Sequence, residues 1–451
     1  MSIGSPVRFP DTRSTPLMTT RAWWLVGVNI LVPGSAQLLA GDRRIGRFGL
    51  VSTFVLWALA VVTLLLFLFA KPALYAVGTN VIGLTVVQVV LVFYVLLWVV
   101  LTVDTLRLTR LVRVAPLARF LVAGLAVVVL VVVASTANYG VTVAGATRDA
   151  ISRIFASGQA AEAVDGRYNI LLLGGDAGPD RTGLRPDSIS VVSIEASTGE
   201  ATMIGIPRNL EYAPFAEGSP LYGPFPDGYD CGDDCLISYL YTYGEEHPDL
   251  YPDAVRNGSN PGIEAMRDAV SGVLDLPLQY YVLIDMQGFS DLIDALGGVE
   301  IDSAARYPIG GGENSRGQLY DVEGWIEPGV QRMDGYTALW YARARHGSSD
   351  YDRMERQREV QEAVLKQFGP ANVLGKFQAV AEAGAQVVTT DVPAAALPYF
   401  VDLAEKTRAL PIEKLELVPE NGVEVGDPNY DTIHSLVETA LLATPTSTPA
   451  P

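Results

Sequence analysis

Arginine residues gather in one short stretch of an otherwise acidic chain. The segment YARARHGSSDYDRMERQ, residues 341–357, holds four arginines, whereas the 451-residue chain has a formal net charge of −18. Arg343 and Arg345 alternate with small or aromatic residues, and this period of two predicts a strand with both guanidinium groups on one face. Arg353 and Gln357 are four residues apart and share a face of the helix predicted to follow. Because a planar guanidinium group can donate two parallel hydrogen bonds to a phosphate, the stretch predicts a phosphate-binding site.

The same stretch also allows a second interpretation, in which the arginines form surface salt bridges. Four acidic residues lie close to them: Asp350, Asp352, Glu355 and Glu359. These acids can neutralise some of the arginines, but they do not explain two arginines on one strand face with no acid between them. Arg356 and Arg358 are expected to point away from the phosphate, so Arg358→Ala is expected to have little effect.

Two aspartates earlier in the chain could hold a cation beside this phosphate. Asp176 ends the apolar run YNILLLGGD, and Asp187 precedes the run SISVVSIEA across a single loop. Arg185 lies beside Asp187, and Arg208 follows a proline at the end of the next predicted strand. Two carboxylates with open coordination positions suit Mg²⁺, which also binds substrate phosphates. The alternative, that both aspartates cap turns, stays open.

Long uncharged runs predict an N-terminal membrane region. Residues 51–70, 81–103 and 120–141 each contain about 20 or more residues without a charge, enough to cross a hydrocarbon core as a helix. No polar face interrupts them, which argues against buried helices of a soluble protein. A fourth run, 22–41, is broken at Pro33-Gly34, so it is either a fourth span or a hairpin that returns to its own side.

The arginines next to these runs predict the orientation of the chain. They occupy two loops: Arg43, Arg44 and Arg47, then Arg107, Arg110, Arg113 and Arg119. By the positive-inside rule both loops are cytoplasmic, so everything after about residue 141 is extracytoplasmic. A hairpin at 22–41 keeps the N-terminal arginines inside as well and is favoured. Residues 1–140 carry a net charge of +8 and the remainder −26. An exported part this acidic excludes general nucleic-acid binding.

Cysteine usage agrees with export. The two cysteines, Cys231 and Cys235 in DCGDDC, fall in the predicted outer part. A disulfide is the expected state of such a pair outside the cytoplasm. A metal site is the less favoured alternative, because two thiols with no histidine nearby make an incomplete ligand set.

Strands alternate with helices in the outer part, which predicts an α/β domain with a mixed sheet. We therefore divide the chain into a membrane region with three or four spans (1–141), a helical neck (142–166), an extracytoplasmic catalytic domain (167–440) and a disordered tail (441–451). The tail is predicted from its Thr- and Pro-rich composition.

Six motifs in a fixed order carry a family resemblance. NILLLGGD, RPDS, GIPRN, YYVLIDMQGFSDLIDALGGVEID, MDGYTALWYARAR and DYDRMERQ, between about residues 168 and 368, resemble the LytR-CpsA-Psr family. The resemblance implies a mixed sheet packed between helices and exported behind membrane spans. It also implies a phosphotransferase of the bacterial cell membrane, which moves a glycopolymer from a polyprenyl-pyrophosphate lipid onto peptidoglycan or another cell-wall acceptor.

The resemblance also implies roles for individual residues. Asp176 and Asp187 would bind Mg²⁺ or Mn²⁺, and the apolar interior would house the polyprenyl tail. The pyrophosphate would contact Arg185, Arg208, Arg343, Arg345, Arg353 and Gln357. The catalytic residues among these would be Arg185, Asp187, Arg208, Arg343 and Arg345. The chain departs from the family pattern at Asn209, Leu236 and Ser238, where one phosphate contact of the family lacks a counterpart.

Two other functions remain open from the sequence. A polyprenyl-pyrophosphate hydrolase would use the same site with water as the acceptor. A non-catalytic lipid-binding membrane sensor would need no metal, and the paired aspartates argue against it.

Overall fold

A computed structural model describes most of the chain. It covers residues 7–156, 158–176, 185–232, 235–314, 316, 318–344, 346, 349–367 and 388–442. For Asp176, Met286, Gln287 and Glu313 it describes the backbone alone. The chain forms two compact units, Met1–Arg148 and Asp149–Pro451.

The first unit is helical. Its helices are α1 (Thr15–Leu31), α2 (Ser35–Ala40), α3 (Arg43–Phe69), α4 (Lys71–Gly78), α5 (Val81–Thr109) and α6 (Pro116–Ile154). Among the described residues, three segments are long and apolar enough to cross a membrane: Arg43–Phe69, Val81–Arg113 and Pro116–Ile154. These segments contain the three uncharged runs of the sequence. Because α6 continues to Ile154, the predicted neck is helical only in its first part.

The fourth apolar run forms two helices with a sharp break between them. The break falls at Pro33-Gly34, where Gly34 adopts a positive φ of 97°. A side chain on Gly34 would meet backbone atoms of Gly49 in α3 at less than 3.0 Å. Helix α1 has 17 residues, and at 1.5 Å per residue it is about 25 Å long. Since the hydrocarbon core is about 30 Å thick, the break favours a segment that enters the membrane and returns.

The second unit combines strands and helices. Its strands are β1 (Arg167–Asp176), β2 (Arg185–Glu195), β3 (Ala201–Ile206), β4 (Tyr280–Asp285), β5 (Val299–Ser303), β6 (Tyr307–Ile309), β7 (Gly312–Glu313), β8 (Leu319–Tyr320), β9 (Gly324–Ile326), β10 (Gly329–Met333), β11 (Val388–Thr390) and β12 (Ile412–Glu416). Its helices are α7 (Leu240–Glu246), α8 (Pro261–Leu274), α9 (Met286–Leu296), α10 (Gly335–Arg343), α11 (Asp350–Gln367), α12 (Leu397–Arg408) and α13 (Tyr430–Leu442). Helix α13 includes the first two residues of the predicted tail, and the rest of that tail lies outside the described residues.

The main sheet is mixed, as the sequence predicts. Its six strands lie in the order β11-β4-β1-β2-β3-β12. The β1–β2, β2–β3 and β4–β11 pairs are antiparallel, and the β1–β4 and β3–β12 pairs are parallel. Consequently the carboxyl ends of β1 and β4 and the start of β2 meet at one edge of the sheet.

Two hydrophobic cores lie on opposite sides of this sheet. On one face, Leu171, Ile189 and Ile204 pack with residues of α7, α8 and α13. A second core joins α9, α10 and α11 to the short strands β5, β6, β9 and β10. Because side chains alternate along a strand, the next residues, such as Leu172 and Ser188, face α9–α11 instead. The site lies between that face and those helices.

Candidate functional site

A β-bulge between β1 and β2 sets the direction of Asp187. Gly174 pairs with Ser188 and Gly175 pairs with Pro186, so Asp187 is an extra residue on β2. An extra residue interrupts the strict alternation of side chains along a strand. As a result, the consecutive residues Asp187 and Ser188 both line one cavity.

The same edge of the sheet brings further acidic positions close to Asp187. The backbone of Asp176 pairs with Arg185, two residues before Asp187. On the other side of β1, Asp285 pairs with Gly175. The sequence analysis missed Asp285, whose position directly after a buried strand was the available signal. The side chain of Asp176 lies outside the described residues, so its role as a metal ligand stays a prediction.

A cavity of about 140 Å³ lies between the sheet and helices α9–α11. Its apolar lining comes from Leu172, Gly174, Val282, Ile284, Phe289, Leu339 and Ala342. Its polar lining comes from Asp187, Ser188, Asp285, Arg343, Gln357 and Gln361. A concave apolar space with a few convergent polar groups is the usual form of a ligand site. Three sequence-predicted residues, Asp187, Arg343 and Gln357, are thereby brought together.

Arg343 reaches this cavity from a helix, so the predicted strand over residues 341–345 is wrong. Helix α10 begins after Asp334, whose carboxylate accepts from Thr337 N at 2.8 Å. It ends at Arg343, after which Ala344 N donates to Trp340 O at 2.8 Å. The alternation of side chains that predicts a strand covers only a few residues. The N-terminal cap of α10 and its packing into the second core stabilise a helix there instead. Arg345 lies outside the described residues, and its predicted contact with phosphate is untested.

Charged pairs connect Asp187 to helix α11. Arg208 Nη1 lies 2.5 Å from Asp187 Oδ1, and Arg208 Nε lies 3.9 Å from Asp350 Oδ2. Arg353 Nη1 lies 3.1 Å from the other carboxylate oxygen of Asp350. Arg353 is thus ion-paired, as the salt-bridge interpretation predicts, but it is buried and not on the surface. Arg208 is also ion-paired, and its partner Asp187 lines the cavity, so a phosphate bound there would compete with this carboxylate for Arg208.

The segment that follows the cysteines borders this network. The guanidinium carbon of Arg185 lies 4.7 Å from the ring centroid of Tyr239, within the range of a cation–π interaction. Ser238 N donates to Arg208 O at 3.2 Å. Ser238, which departs from the family pattern, thus contacts the backbone of one predicted phosphate ligand, Arg208. Tyr239 supports a second, Arg185, and sequence reasoning missed this contact.

Cys231 and Cys235 are joined by a disulfide in the structure. Cys235 is buried in the core, whereas Cys231 is exposed. The bond closes a loop of few residues, so its effect on the free energy of unfolding is expected to be modest.

We expect neither cysteine to react with a thiol reagent in exported, unreduced protein. The protein should be denatured before labelling, because burial alone would protect Cys235. Mass spectrometry should find no label without reductant and two labels per chain after reduction. Two labels per chain without reductant would show that the thiols are free.

Arg356 of the opening stretch and Arg358, which directly follows that stretch, are structural. The guanidinium carbon of Arg356 lies 4.4 Å from the Tyr307 ring centroid, and its Nε donates to Tyr341 O at 3.0 Å. Arg358 is fully buried, with Nη1 donating to Gln361 Oε1 at 2.8 Å. The expectation that Arg358→Ala is nearly silent is therefore wrong, because α11 turns this side chain inward against the sheet.

Arg358 faces a buried carboxylate. Its Nε lies 3.5 Å from Glu416 Oε1 on strand β12. Among the described residues, Arg358 Nε and both carboxylate oxygens of Glu416 have no hydrogen-bond partner. Burial raises the pKa of Glu416, and the nearby arginine opposes this shift. This pair supports the cavity wall through Gln361.

The donor set at the cavity mouth suits a cation that is shared with a phosphate. In the part of the chain that the structure describes, no group of three or more His, Cys, Asp or Glu residues could hold a metal by itself. Asp187 and Asp176 could supply at most two carboxylate ligands. Mg²⁺ is commonly bound by one or two carboxylates together with substrate phosphates and water. The residues therefore fit such a cation only in the presence of substrate.

Comparisons with known proteins agree on one family. The model of the LytR_cpsA_psr family matches residues 132–440. A Halalkalibacterium halodurans protein named polyisoprenyl-teichoic acid–peptidoglycan teichoic acid transferase TagU is 28% identical over 257 residues, which cover 56% of this chain and 70% of that protein. Biofilm regulatory protein A of Streptococcus mutans is 27% identical over 231 residues, 50% of each chain.

Two further similarities extend this picture. TagU of Enterococcus faecalis is 24% identical over 230 residues, which cover 50% of this chain and 61% of that protein. Among solved structures, B. subtilis TagV is 21% identical with a TM-score of 0.45, covering 61% of this chain and 96% of that chain. The chain thus spans between half and about 70% of the length of these curated relatives.

Proposed function

Because the chain belongs to the LytR-CpsA-Psr family, we propose that it is a membrane-anchored phosphotransferase that moves a glycopolymer from a polyprenyl-pyrophosphate carrier onto peptidoglycan. The observation that carries the proposal is the cavity, in which an apolar interior opens beside Asp187, Arg343 and Gln357. A lipid pyrophosphate has the matching form, with an apolar chain joined to a dense negative charge. Two relatives are named for the transfer of teichoic acid to peptidoglycan.

The geometry suggests how the chain would hold this donor. The polyprenyl tail enters between Val282, Phe289 and Leu339, while the pyrophosphate stays at the mouth near Arg343. The cavity is smaller than the about 300–1,000 Å³ of typical ligand sites, so we expect it to hold only the part of the tail next to the phosphate. Burial of the tail then fixes the position of the phosphorus that is to be attacked.

Charge neutralisation is the main chemical requirement of the reaction. A hydroxyl of the acceptor attacks phosphorus, and negative charge develops on the transferred group and on the leaving phosphate. Arg343, together with Arg208 beside Asp187, would stabilise this charge. A divalent cation on Asp187 would supply further positive charge when bound. If phosphate replaced Asp187 as the partner of Arg208, the Asp187 carboxylate would be free to bind a cation.

We expect Asp187→Asn to abolish the dependence of transfer on Mg²⁺ and to lower the rate at saturating Mg²⁺ about a hundredfold, equivalent to about 2.7 kcal/mol of transition-state stabilisation. The amide is nearly the same size but carries no charge for the cation or for Arg208. The measurement is the transfer rate during a Mg²⁺ titration, with donor binding followed separately. Asp302→Asn, an exposed position on β5, serves as the control. A Mg²⁺ response unchanged from wild type would exclude Asp187 as a ligand.

We also propose that the second unit is extracytoplasmic and that the first is multi-pass. Seven arginines beside the apolar segments support this proposal, because the positive-inside rule favours a cytoplasmic position for their loops. Protease added to intact cells with an accessible outer face should therefore degrade residues 150–451. Complete protection of these residues, with digestion after the membrane is permeabilised, would reverse the orientation.

Product analysis tests the proposed function. Purified full-length protein should be given a labelled polyprenyl-pyrophosphate glycan with and without peptidoglycan. Label that moves to peptidoglycan, leaving polyprenyl phosphate, is the expected outcome. Equal release of free glycan phosphate with and without acceptor would identify a hydrolase, and binding without turnover would identify a lipid-binding sensor.

A further inference from the structure

Helix α10 carries a row of side chains beside the cavity mouth, in which Tyr336 and Arg343 are exposed and Trp340 is half-buried. Tyr336, Trp340 and Arg343 are spaced by four and three residues, so they share one helix face. The rings of Tyr336 and Trp340 meet edge to face with centroids 6.2 Å apart. The guanidinium carbon of Arg343 lies 5.7 Å from the Trp340 ring centroid. We name these three residues the aromatic ladder.

The two sides of α10 differ in chemistry. Leu339 and Ala342 line the cavity, whereas Tyr336 on the ladder is 44% exposed. Arg343 belongs to both sides, since it lines the cavity and also contacts Trp340. A molecule whose phosphate is bound at Arg343 with its tail in the cavity therefore extends in the other direction along the ladder.

The Glu323 carboxylate is held in place at the Tyr336 end of the ladder. Tyr336 Oη donates to Glu323 Oε2 at 2.8 Å. Glu323 N donates to Ile309 O at 2.8 Å, which ties the loop before β9 to β6. The Glu323 side chain also packs closely over Gly310, where an added Cβ would lie 2.8 Å from Glu323 Cγ. An exposed carboxylate held beside aromatic rings can accept hydrogen bonds from neutral hydroxyl groups.

We propose that the aromatic ladder, with Glu323 at its end, binds the sugar residues directly attached to the donor pyrophosphate. A sugar ring presents an apolar C–H face that packs on an aromatic ring, and its hydroxyl groups can donate hydrogen bonds to the Glu323 carboxylate. Arg343 lies seven residues after Tyr336, which corresponds to about 10 Å along the helix axis, so the ladder extends this far from the arginine that holds the phosphate. This inference builds on the proposed function and assigns the surface to the donor glycan, because that glycan is covalently joined to the bound phosphate.

Two lipid probes isolate the contribution of the sugar. One is a polyprenyl pyrophosphate without sugar, and the other is the same lipid carrying one N-acetylhexosamine. Their equilibrium binding should be measured on full-length wild type, Trp340→Ala, Trp340→Phe and the control Trp325→Ala. Trp325 is an exposed tryptophan of the same unit, but it stacks on Arg306, whose guanidinium carbon lies 4.0 Å from its ring centroid, and not on the ladder.

We expect Trp340→Ala to weaken binding of the sugar-bearing lipid roughly fivefold to tenfold, the scale of one aromatic stacking contact. Its binding of the sugar-free lipid should stay within about twofold of wild type, since Arg343 and the cavity remain. Trp340→Phe should recover most of the loss, and Trp325→Ala should resemble wild type with both probes.

Other outcomes would overturn the inference in distinguishable ways. An equal loss with both probes would mean that Trp340 merely supports α10. A raised KM for peptidoglycan with unchanged donor binding would assign the surface to the acceptor. If wild type binds the sugar-free lipid as tightly as the sugar-bearing lipid, the ladder proposal fails while the proposed function stands. If wild type binds neither probe, the proposed function fails as well.

Discussion

Replacing Arg343 with alanine is expected to lower kcat/KM for transfer tenfold to a hundredfold while the fold persists. Arg343 is exposed at the end of α10 and lines the cavity mouth, so its removal leaves no buried space. Hydrogen bonds to charged groups contribute about 1.5–3 kcal/mol each, and 1.4 kcal/mol corresponds to a factor of ten. Arg343→Lys should recover only part of the loss, because an ammonium group cannot donate the paired hydrogen bonds of a guanidinium group.

Arg256→Ala is a suitable control for this experiment. The Arg256 side chain is 73% exposed and pairs with Asp253 on the surface, three residues earlier. The Arg256→Ala substitution removes the same charge from the same domain, and Arg256 does not line the cavity. Rates should be measured with a labelled polyprenyl-pyrophosphate glycan as the donor. Equal effects of Arg343→Ala and Arg256→Ala would mean that Arg343 is an ordinary solvated surface residue.

Replacing Arg358 with alanine is expected to cost about 3–5 kcal/mol of stability, the usual effect of removing one partner of a buried ion pair. Glu416 would stay buried without a counter-ion, and Gln361 would lose its hydrogen bond at the cavity wall. The double variant Arg358→Met with Glu416→Gln removes both charges and should recover much of the lost stability.

Unfolding of the full chain in detergent, followed by tryptophan fluorescence, measures this effect. The folded-state pKa of Glu416 lies above its unfolded value. Its contribution to stability is therefore fully present below the unfolded pKa and declines as pH rises through the folded pKa. Without Arg358, Glu416 should lose more of its contribution to stability as the pH rises. The stability difference between wild type and Arg358→Ala should therefore be smaller in mild acid. Exposed Arg306→Ala is the control, and a deficit as small as that of the control would show that the pair adds nothing.

Hydrophobic pattern predicts much of the fold because the apolar residues of this chain fall in long, uninterrupted runs. The uncharged runs coincide with three long helices, and the apolar run that ends at Asp176 becomes the central strand β1. Arg353 and Gln357 lie on one helix, as their spacing predicts. These features depend on residues near one another in the chain, which is why local patterns identify them.

The features that the sequence could not predict depend on distant residues. The pairing of Arg358 with Glu416 joins α11 to a strand far along the chain, and no spacing rule relates the two. Arg208 meets Asp187 only because β2 and β3 pair in a particular register. The bulge at Asp187 likewise depends on which residue of β1 lies opposite. The alternation of two arginines wrongly predicts a strand at Arg343, because so short a pattern cannot identify a helix end.

Lipid extraction of the purified protein, followed by mass spectrometry, tests most directly whether the cavity holds a polyprenyl chain. Wild type should be compared with Ala342→Phe, which places a ring in the cavity while leaving Asp187 and Arg343 intact. We expect a polyprenyl phosphate or pyrophosphate to co-purify with wild type in near-stoichiometric amount and to be strongly depleted in the variant. Bilayer phospholipids alone in wild type, or equal polyprenyl content in the two proteins, would contradict the assignment of this cavity to the lipid donor.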